Sequence, residues 1–126
     1  MRSLTWKTAA FAAVALTATA APVIPASAAL GDCPSSYFCA WADDNAQGHR
    51  AQWSGNDSNW GDDGMHDNDE TVYNNGTPGG FDHVWIYYDV NYGRYNMCIG
   101  PGEWYDAQLD DNDHDSHSWS TACKFD

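Results

Sequence analysis

Positive charge and branched aliphatic side chains are both scarce in this sequence, and each shortage narrows what the chain does. Five Lys and Arg residues stand against 18 Asp and Glu, and two of the five, Arg2 and Lys7, lie in the first seven positions. From Ala29 onward only Arg50, Arg94 and Lys124 face all 18 acidic residues, a formal charge of −15. Such a surface repels phosphate backbones and anionic bilayers, so nucleic acid and membrane surfaces are poor partners, whereas cations and basic protein surfaces are good ones. Over the same stretch Leu30, Val72, Val84, Ile86, Val90, Ile99 and Leu109 are the only branched aliphatic residues, against 16 aromatic ones. A core built this way is small and calls for staples.

Cysteine is also sparse, at four residues. In an exported chain these read as two disulfides, and of the three pairings Cys33 with Cys39 plus Cys98 with Cys123 is the expected one. The chain-entropy model assigns roughly 2.4 and roughly 3.5 kcal/mol to the short and long loops. A zinc site would want closer paired spacing. The export signal is the N-terminus itself. Arg2 and Lys7 precede an uncharged Ala-rich run, Ala9 to Ala20, and Ala26-Ser27-Ala28 offers small residues where a signal peptidase reads. Pro22 and Pro25 break that run well short of the roughly 20 residues a membrane span needs. Residues 1–28 therefore read as a secretory signal, and 29–126 as one small extracellular domain, monomeric and not inserted in a membrane.

Long amphipathic helices are missing too; only Trp104 to Leu109 fits one helical turn. What remains is all-β. Tyr37 to Trp41, Arg50 to Trp53, Val84 to Tyr88, Tyr95 to Ile99 and Ser118 to Cys123 are short aromatic or β-branched runs between Gly, Asn and Asp clusters. The run Thr71 to Tyr73 after DNDE also has strand character.

The chain repeats itself. WADDNAQG from Trp41 and YYDVNYG from Tyr87 lie 46 positions apart, the second copy lacking one residue before its glycine. From Trp41 to Asp67 is 26 residues, and from Tyr87 to Asn112 is 25. The segments that begin there, DNDET and NDHDS, share one pattern: two Asn or Asp residues, two variable positions, then Thr or Ser.

Oxygen-rich clumps of this kind suit a hard cation such as Ca²⁺, which takes six to eight oxygen ligands. Neither clump wraps an ion alone, but two packed repeats can each donate to the other's ion, and bound cation then offsets carboxylate repulsion by mass action. The alternative is a solvated turn at Asp67 to Glu70, with Asn75-Gly76 as a tight hairpin turn beyond it. His114 and His117 flank Asp115 and offer either capture of a transition metal or an exposed, idle pair; His49, His66 and His83 show no partner by spacing. Trp53, Trp60, Trp85, Trp104 and Trp119 offer either a sugar-stacking face or the missing core. No nucleophile elbow, zinc-binding helix or glycine-rich phosphate loop appears, so the chain does not read as an enzyme.

The duplicated corners and paired Asp/Asn-x-x-Thr/Ser clumps resemble the two Greek-key motifs of a βγ-crystallin domain. More closely, CPSSYFCAWADDNAQGHRAQW followed by DNDETVYNNGT resembles the secreted actinobacterial metalloproteinase inhibitors that adopt this fold, over roughly Cys33 to Cys123. The resemblance implies a two-sheet β-sandwich of eight short strands, one Greek key per repeat. It implies Ca²⁺ ligands at Asn68, Asp69 and Thr71 and at Asp113, His114 and Ser116, with Asp69 and His114 acting through backbone oxygen. Val72 and His117 replace the second hydroxyl residue of the usual pattern. It also implies a peptidase inhibitor aimed at a secreted metalloprotease, with a rigid loop at Ile99, Gly100, Pro101, Gly102, Glu103 and Trp104. The close cysteine pair that holds the family's loop is replaced here by Cys98 alone. The other reading is a calcium-binding structural, cell-envelope or carbohydrate-binding module without inhibitory activity.

Overall fold

Aromatic-rich runs become strands of two antiparallel sheets in the computed structural model, which describes residues 24–106 and 113–123. The first sheet is ordered β2-β1-β3-β6, from Gln47–Trp53 (β2), Phe38–Asp43 (β1), Thr71–Asn74 (β3) and Trp104–Asp106 (β6). The second is ordered β5-β4-β7, from Gly93–Ile99 (β5), His83–Asp89 (β4) and Ser116–Ser120 (β7). A short helix, α1, spans Ala26–Leu30. No helix among the described residues is long and apolar enough to cross a membrane.

The two halves are built alike. β1 and β2 form a hairpin and β3 returns beside β1; β4 and β5 form a hairpin and β7 returns beside β4. Each half lends its third strand to the other sheet. β6 pairs with β3 through Val72 opposite Tyr105, and in the reciprocal place Asp57 exchanges both backbone hydrogen bonds with His117, at 3.1 and 3.0 Å. The described residues thus hold seven strands, and the eighth of a double Greek key is reduced to one bridge at Asp57.

Two expectations fail for the same reason. Trp104–Asp106 is a strand rather than a helical turn, because β3 of the other half supplies its hydrogen bonds; residues 107–109 lie outside the description. Asn75-Gly76 turns no hairpin, since β3 and β4 belong to different sheets. Gly76 is needed for space instead: a Cβ there would lie 2.8 Å from both Asn74 Oδ1 and the Trp119 ring.

Aromatic packing replaces the missing aliphatics. Phe38, Trp53 and Trp60 are buried, Trp53 stacks on Trp60 at 4.9 Å, and Phe38 stacks on Trp53 at 5.6 Å. Ala40, Ala51, Met65, Val72, Val84, Ile86 and Ile99 complete this cluster. A second one joins Ala29 and Leu30 of α1 to Cys33, Cys39, Trp41 and Ala46. Disulfides link Cys33 to Cys39 and Cys98 to Cys123.

His117, where the motif's usual hydroxyl is missing, is wholly buried between Phe38 and Trp53, at 4.7 and 4.8 Å. Trp60 Nε1 donates to its Nδ1 at 2.9 Å and its Nε2 donates to the Gly55 carbonyl at 2.8 Å, which fixes one neutral tautomer. Burial lowers its pKa to about 3. The folded pKa lies below the unfolded value near 6.5, so this contribution is complete above about pH 6.5 and is lost as the pH falls toward 3. In urea titrations, the stability difference between wild type and His117→Leu should accordingly shrink between pH 7 and pH 4. A constant difference would show that the ring is not held neutral.

Candidate functional site

Both hairpins turn through an improbable corner. The 3-10 turns Asp44–Ala46 and Val90–Tyr92 contain Asn45 and Asn91 in the left-handed region, at φ 58° and 57°. Ala46 and Tyr92 follow at φ 57° and 62°, where a side chain is strained. A buried hydroxyl holds each corner. Thr71 Oγ1 donates to the Asp43 carbonyl at 2.9 Å and accepts from Ala46 N at 3.0 Å. Ser116 Oγ donates to the Asp89 carbonyl at 2.6 Å and accepts from Tyr92 N at 3.0 Å. The Asp/Asn-x-x-Thr/Ser spacing therefore has a structural use in each repeat. Each hydroxyl keeps one lone pair beyond its latch.

The two variable positions meet across the halves. Asp69 and His114 are each 2 % exposed; the carboxylate takes the His114 Nδ1 hydrogen at 2.7 Å and the His114 backbone N–H at 3.1 Å. His114 Nε2 lies 2.7 Å from Asn96 Oδ1, whose amide donates to the Tyr88 hydroxyl. Tyr88 stacks on the imidazole at 5.3 Å, and the Arg94 guanidinium lies over Tyr88. Burial raises the Asp69 pKa, and the bonds and charge from His114 oppose it. His114 and His117 are thus buried connectors rather than an exposed pair.

Carboxylates ring both corners unequally. At the first, a hydrogen bond from the protonated Glu70 carboxyl to Asp44, then burial, then the charges of Asp44, Asp106 and Asp43 push the Glu70 carboxyl up to about 7. Asp44 Oδ1 is buried there without a hydrogen-bond partner among the described residues, and Asp106 Oδ2 accepts from Asn45 N at 3.1 Å. The second corner carries its own counter-charge. Asp115, equivalent to Glu70 and 5 % exposed, accepts from His66 Nδ1 at 2.6 Å and from Asp67 N at 3.1 Å. Those contacts raise the His66 pKa, through the Asp115 hydrogen bond first and the Asp115 and Asp67 charges after it. Arg94 clamps Asp89 with two 2.7 Å bonds. Among the described residues His66, Asp67 and Asp115 form a three-donor group with ligand atoms within 4.8 Å. Spacing gave no sign of His66, because its partner is 49 positions away. Asn68 and Asp113 are exposed beside the two corners.

The segment Ile99–Trp104 is a turn closed from one side. Ile99 and Gly100 are buried, while Gly102, Glu103 and Trp104 are exposed. Asn74, fully buried at the end of β3, holds it: its amide donates to the Ile99 carbonyl at 2.9 Å and the Asp82 carbonyl at 2.8 Å. Its backbone accepts from Gly102 N at 2.8 Å and donates to the Glu103 carbonyl at 3.0 Å. Glu103 folds back so that its carboxylate accepts from Gly100 N. The Cys98–Cys123 bond anchors the strand one residue upstream.

Solved structures place this arrangement among βγ-crystallin domains. A solved structure described as bearing on the evolution of the eye-lens βγ-crystallin domain fold superposes with a TM-score of 0.58 at 15 % identity, over 71 % of this chain and 91 % of that one. A βγ-crystallin from Ciona intestinalis gives 0.55 at 11 %, over 67 % and 99 %. A βγ-crystallin domain from Clostridium beijerinckii gives 0.51 at 11 %, over 68 % and 98 %. At these identities the likeness establishes the fold. No curated protein matches the chain significantly. The family model of Peptidase inhibitor family I36 matches residues 26–99, and the chain belongs to that family. The match ends at Ile99, where the turn just described begins.

Proposed function

We propose that the chain is a secreted, stoichiometric inhibitor of a metallopeptidase, not itself an enzyme, and that it presents Pro101 to Trp104 to its target. Family membership supplies the class of activity. The observation that carries the rest is the bracing of this turn by Asn74 and by the Cys98–Cys123 bond. An inhibitor differs from a substrate in having its ordering entropy removed beforehand, and fastening of this kind removes it. Two disulfides fit an extracellular location. The test is titration of a thermolysin-like protease with the purified protein in excess Ca²⁺, so that stripping ions from the enzyme cannot imitate inhibition. A sharp endpoint near one equivalent is expected. No loss of activity at micromolar excess over several metallopeptidases would overturn the reading in favour of a non-inhibitory module.

A second assignment rests on the orphaned Asp44 Oδ1 and the raised Glu70 pKa: Ca²⁺ is proposed to bind at the corners and chiefly at the first, which lacks the counter-charges of the second. Asn68, Asp69 and Thr71, with Asp113, His114 and Ser116, fit oxygen ligation through surface amide and carboxylate, backbone carbonyl and the spare hydroxyl lone pairs. Calcium at about a hundred times its Kd should raise the unfolding midpoint by roughly 10 °C or more over chelator. Asn68→Ala with Asp113→Ala should erase that shift. Thr71→Val should instead lower the midpoint in chelator as well, because the latch holds the corner with or without an ion. An unchanged wild-type midpoint would sink the assignment.

A further inference from the structure

Away from the corners and the braced turn, an open cleft of about 500 Å³ lies between the Ser54-Gly55-Asn56 loop, Gly76-Thr77, Phe81 and Trp119. Among the described residues its lining includes no charged side chain, although the chain carries 18 acidic ones. Two aromatic rings and three hydroxyls, from Ser36, Ser54 and Thr77, face this space together with Asn56. From these observations we infer that the cleft is a binding site for a neutral saccharide, in which Trp119 and Phe81 take the C–H face of a sugar ring and the hydroxyls pair with Ser and Thr.

Each wall is fitted to that use. Phe81, at 69 %, is the most exposed large hydrophobic side chain among the described residues, and it follows Gly79-Gly80 in a loop that makes no strand. Trp119 is held firmly: its ring rests on Gly76, at a distance only a missing Cβ permits, and its backbone N–H donates to Asn56 Oδ1 at 2.7 Å. Its indole Nε1 is buried and has no hydrogen-bond partner among the described residues, an uncommon state for a group that normally finds an acceptor. Ser36 and Thr77 bond each other at 2.8 Å on the exposed side and retain further donor and acceptor capacity for a ligand hydroxyl. Mixed apolar and polar lining of this size is the usual constitution of a small-ligand pocket.

The competing occupants fit less well. Anionic sugars and acidic peptides find no cation among the described lining residues and meet the repulsion of the whole chain. A peptide added as a strand would need the free edge of β7, but Asn56 Oδ1 already takes the Trp119 N–H and Asp57 takes both backbone groups of His117. Strand addition depends on those groups being open. A neutral ring with equatorial hydroxyls needs no edge, only a flat aromatic platform and short polar side chains around it.

The inference is independent of protease inhibition, and its test does not involve a protease. The mature protein would be titrated with cellohexaose, maltohexaose, mannohexaose and chitohexaose, following tryptophan fluorescence and amide chemical shifts. We expect saturable binding of at least one, with shifts concentrated at residues 54–56, 76–77, 81 and 119. Phe81→Ala should weaken it about tenfold without lowering the unfolding midpoint, since one stacked ring is removed and no core contact. Thr77→Val is a second surface variant and should weaken binding while leaving the fold intact. No saturation by any of the four at millimolar concentration would overturn the proposal, as would equal binding by Phe81→Ala. Saturation by an uncharged leucine-rich peptide in place of every sugar would reassign the cleft to apolar peptide side chains.

Discussion

Trp60→Ala should leave little folded protein at 25 °C. Truncating a fully buried Trp costs about 3–5 kcal/mol, and here it also removes the donor to His117 Nδ1, a buried acceptor whose loss adds about 1–3 kcal/mol. Domains of this size have total stabilities toward the lower end of about 5–15 kcal/mol. The reason the loss is so large lies in composition. With few branched aliphatics, the centre of the sandwich is a stack of Phe38, Trp53 and Trp60 closed by His117, and removing an indole leaves a cavity that only partial relaxation fills. Urea unfolding followed by near-UV circular dichroism measures this directly. Trp104→Ala, on a residue 43 % exposed at the sheet edge, is the comparison and should shift stability by less than about 1 kcal/mol. Equal losses from the two would mean that the aromatic residues are interchangeable surface-fillers, contrary to the core described above.

That core also explains what could and could not be read beforehand. The strands around Phe38 and Val84 announce themselves because short aromatic or β-branched runs stand between glycine and Asx clusters, and the corners do so because they recur at one period. Both signals are local or periodic. The Asp57 bridge, β6 and the His66–Asp115 pair are neither, because each depends on a partner in the other half of the chain. The same holds for Asp69 and His114. Their spacing marked them as motif positions, but only the packing of one repeat on the other turns both side chains inward toward each other. Of the five tryptophans that offered a sugar face, Trp53 and Trp60 went to the core, and Trp119 alone lines the cleft. Phe81, the other ring of that cleft, carried no sequence signal beyond following two glycines.

Asn74→Ala should both destabilise the chain and decide what the turn after Ile99 does. The substitution strands the Ile99 and Asp82 carbonyls and the Gly76 N–H, which now bond to the Asn74 amide at 2.8–2.9 Å. The Ile99 bond is buried and the other two are part-buried; an unpaired buried group costs about 1–3 kcal/mol and a part-buried one less, so a loss of about 2 kcal/mol or more is expected, read as a lower unfolding midpoint. Asn74→Asp keeps an acceptor for Gly76 but sets a fully buried carboxylate oxygen against the Ile99 and Asp82 carbonyls, so at neutral pH it should cost at least as much as Asn74→Ala. The backbone bonds from Asn74 to Gly102 and Glu103 survive in both variants. The turn is therefore loosened at its Ile99 end and not released. If Pro101 to Trp104 occupies a protease cleft, that loosening returns ordering entropy to the loop and converts a slow substrate into an ordinary one. Incubation with a thermolysin-like protease below the unfolding midpoint should then show weaker inhibition and a cut between Ile99 and Trp104 by mass spectrometry. Inhibition that persists at full strength in Asn74→Ala would move the reactive surface elsewhere, and the first place to look would be within residues 26–99, where the family match lies.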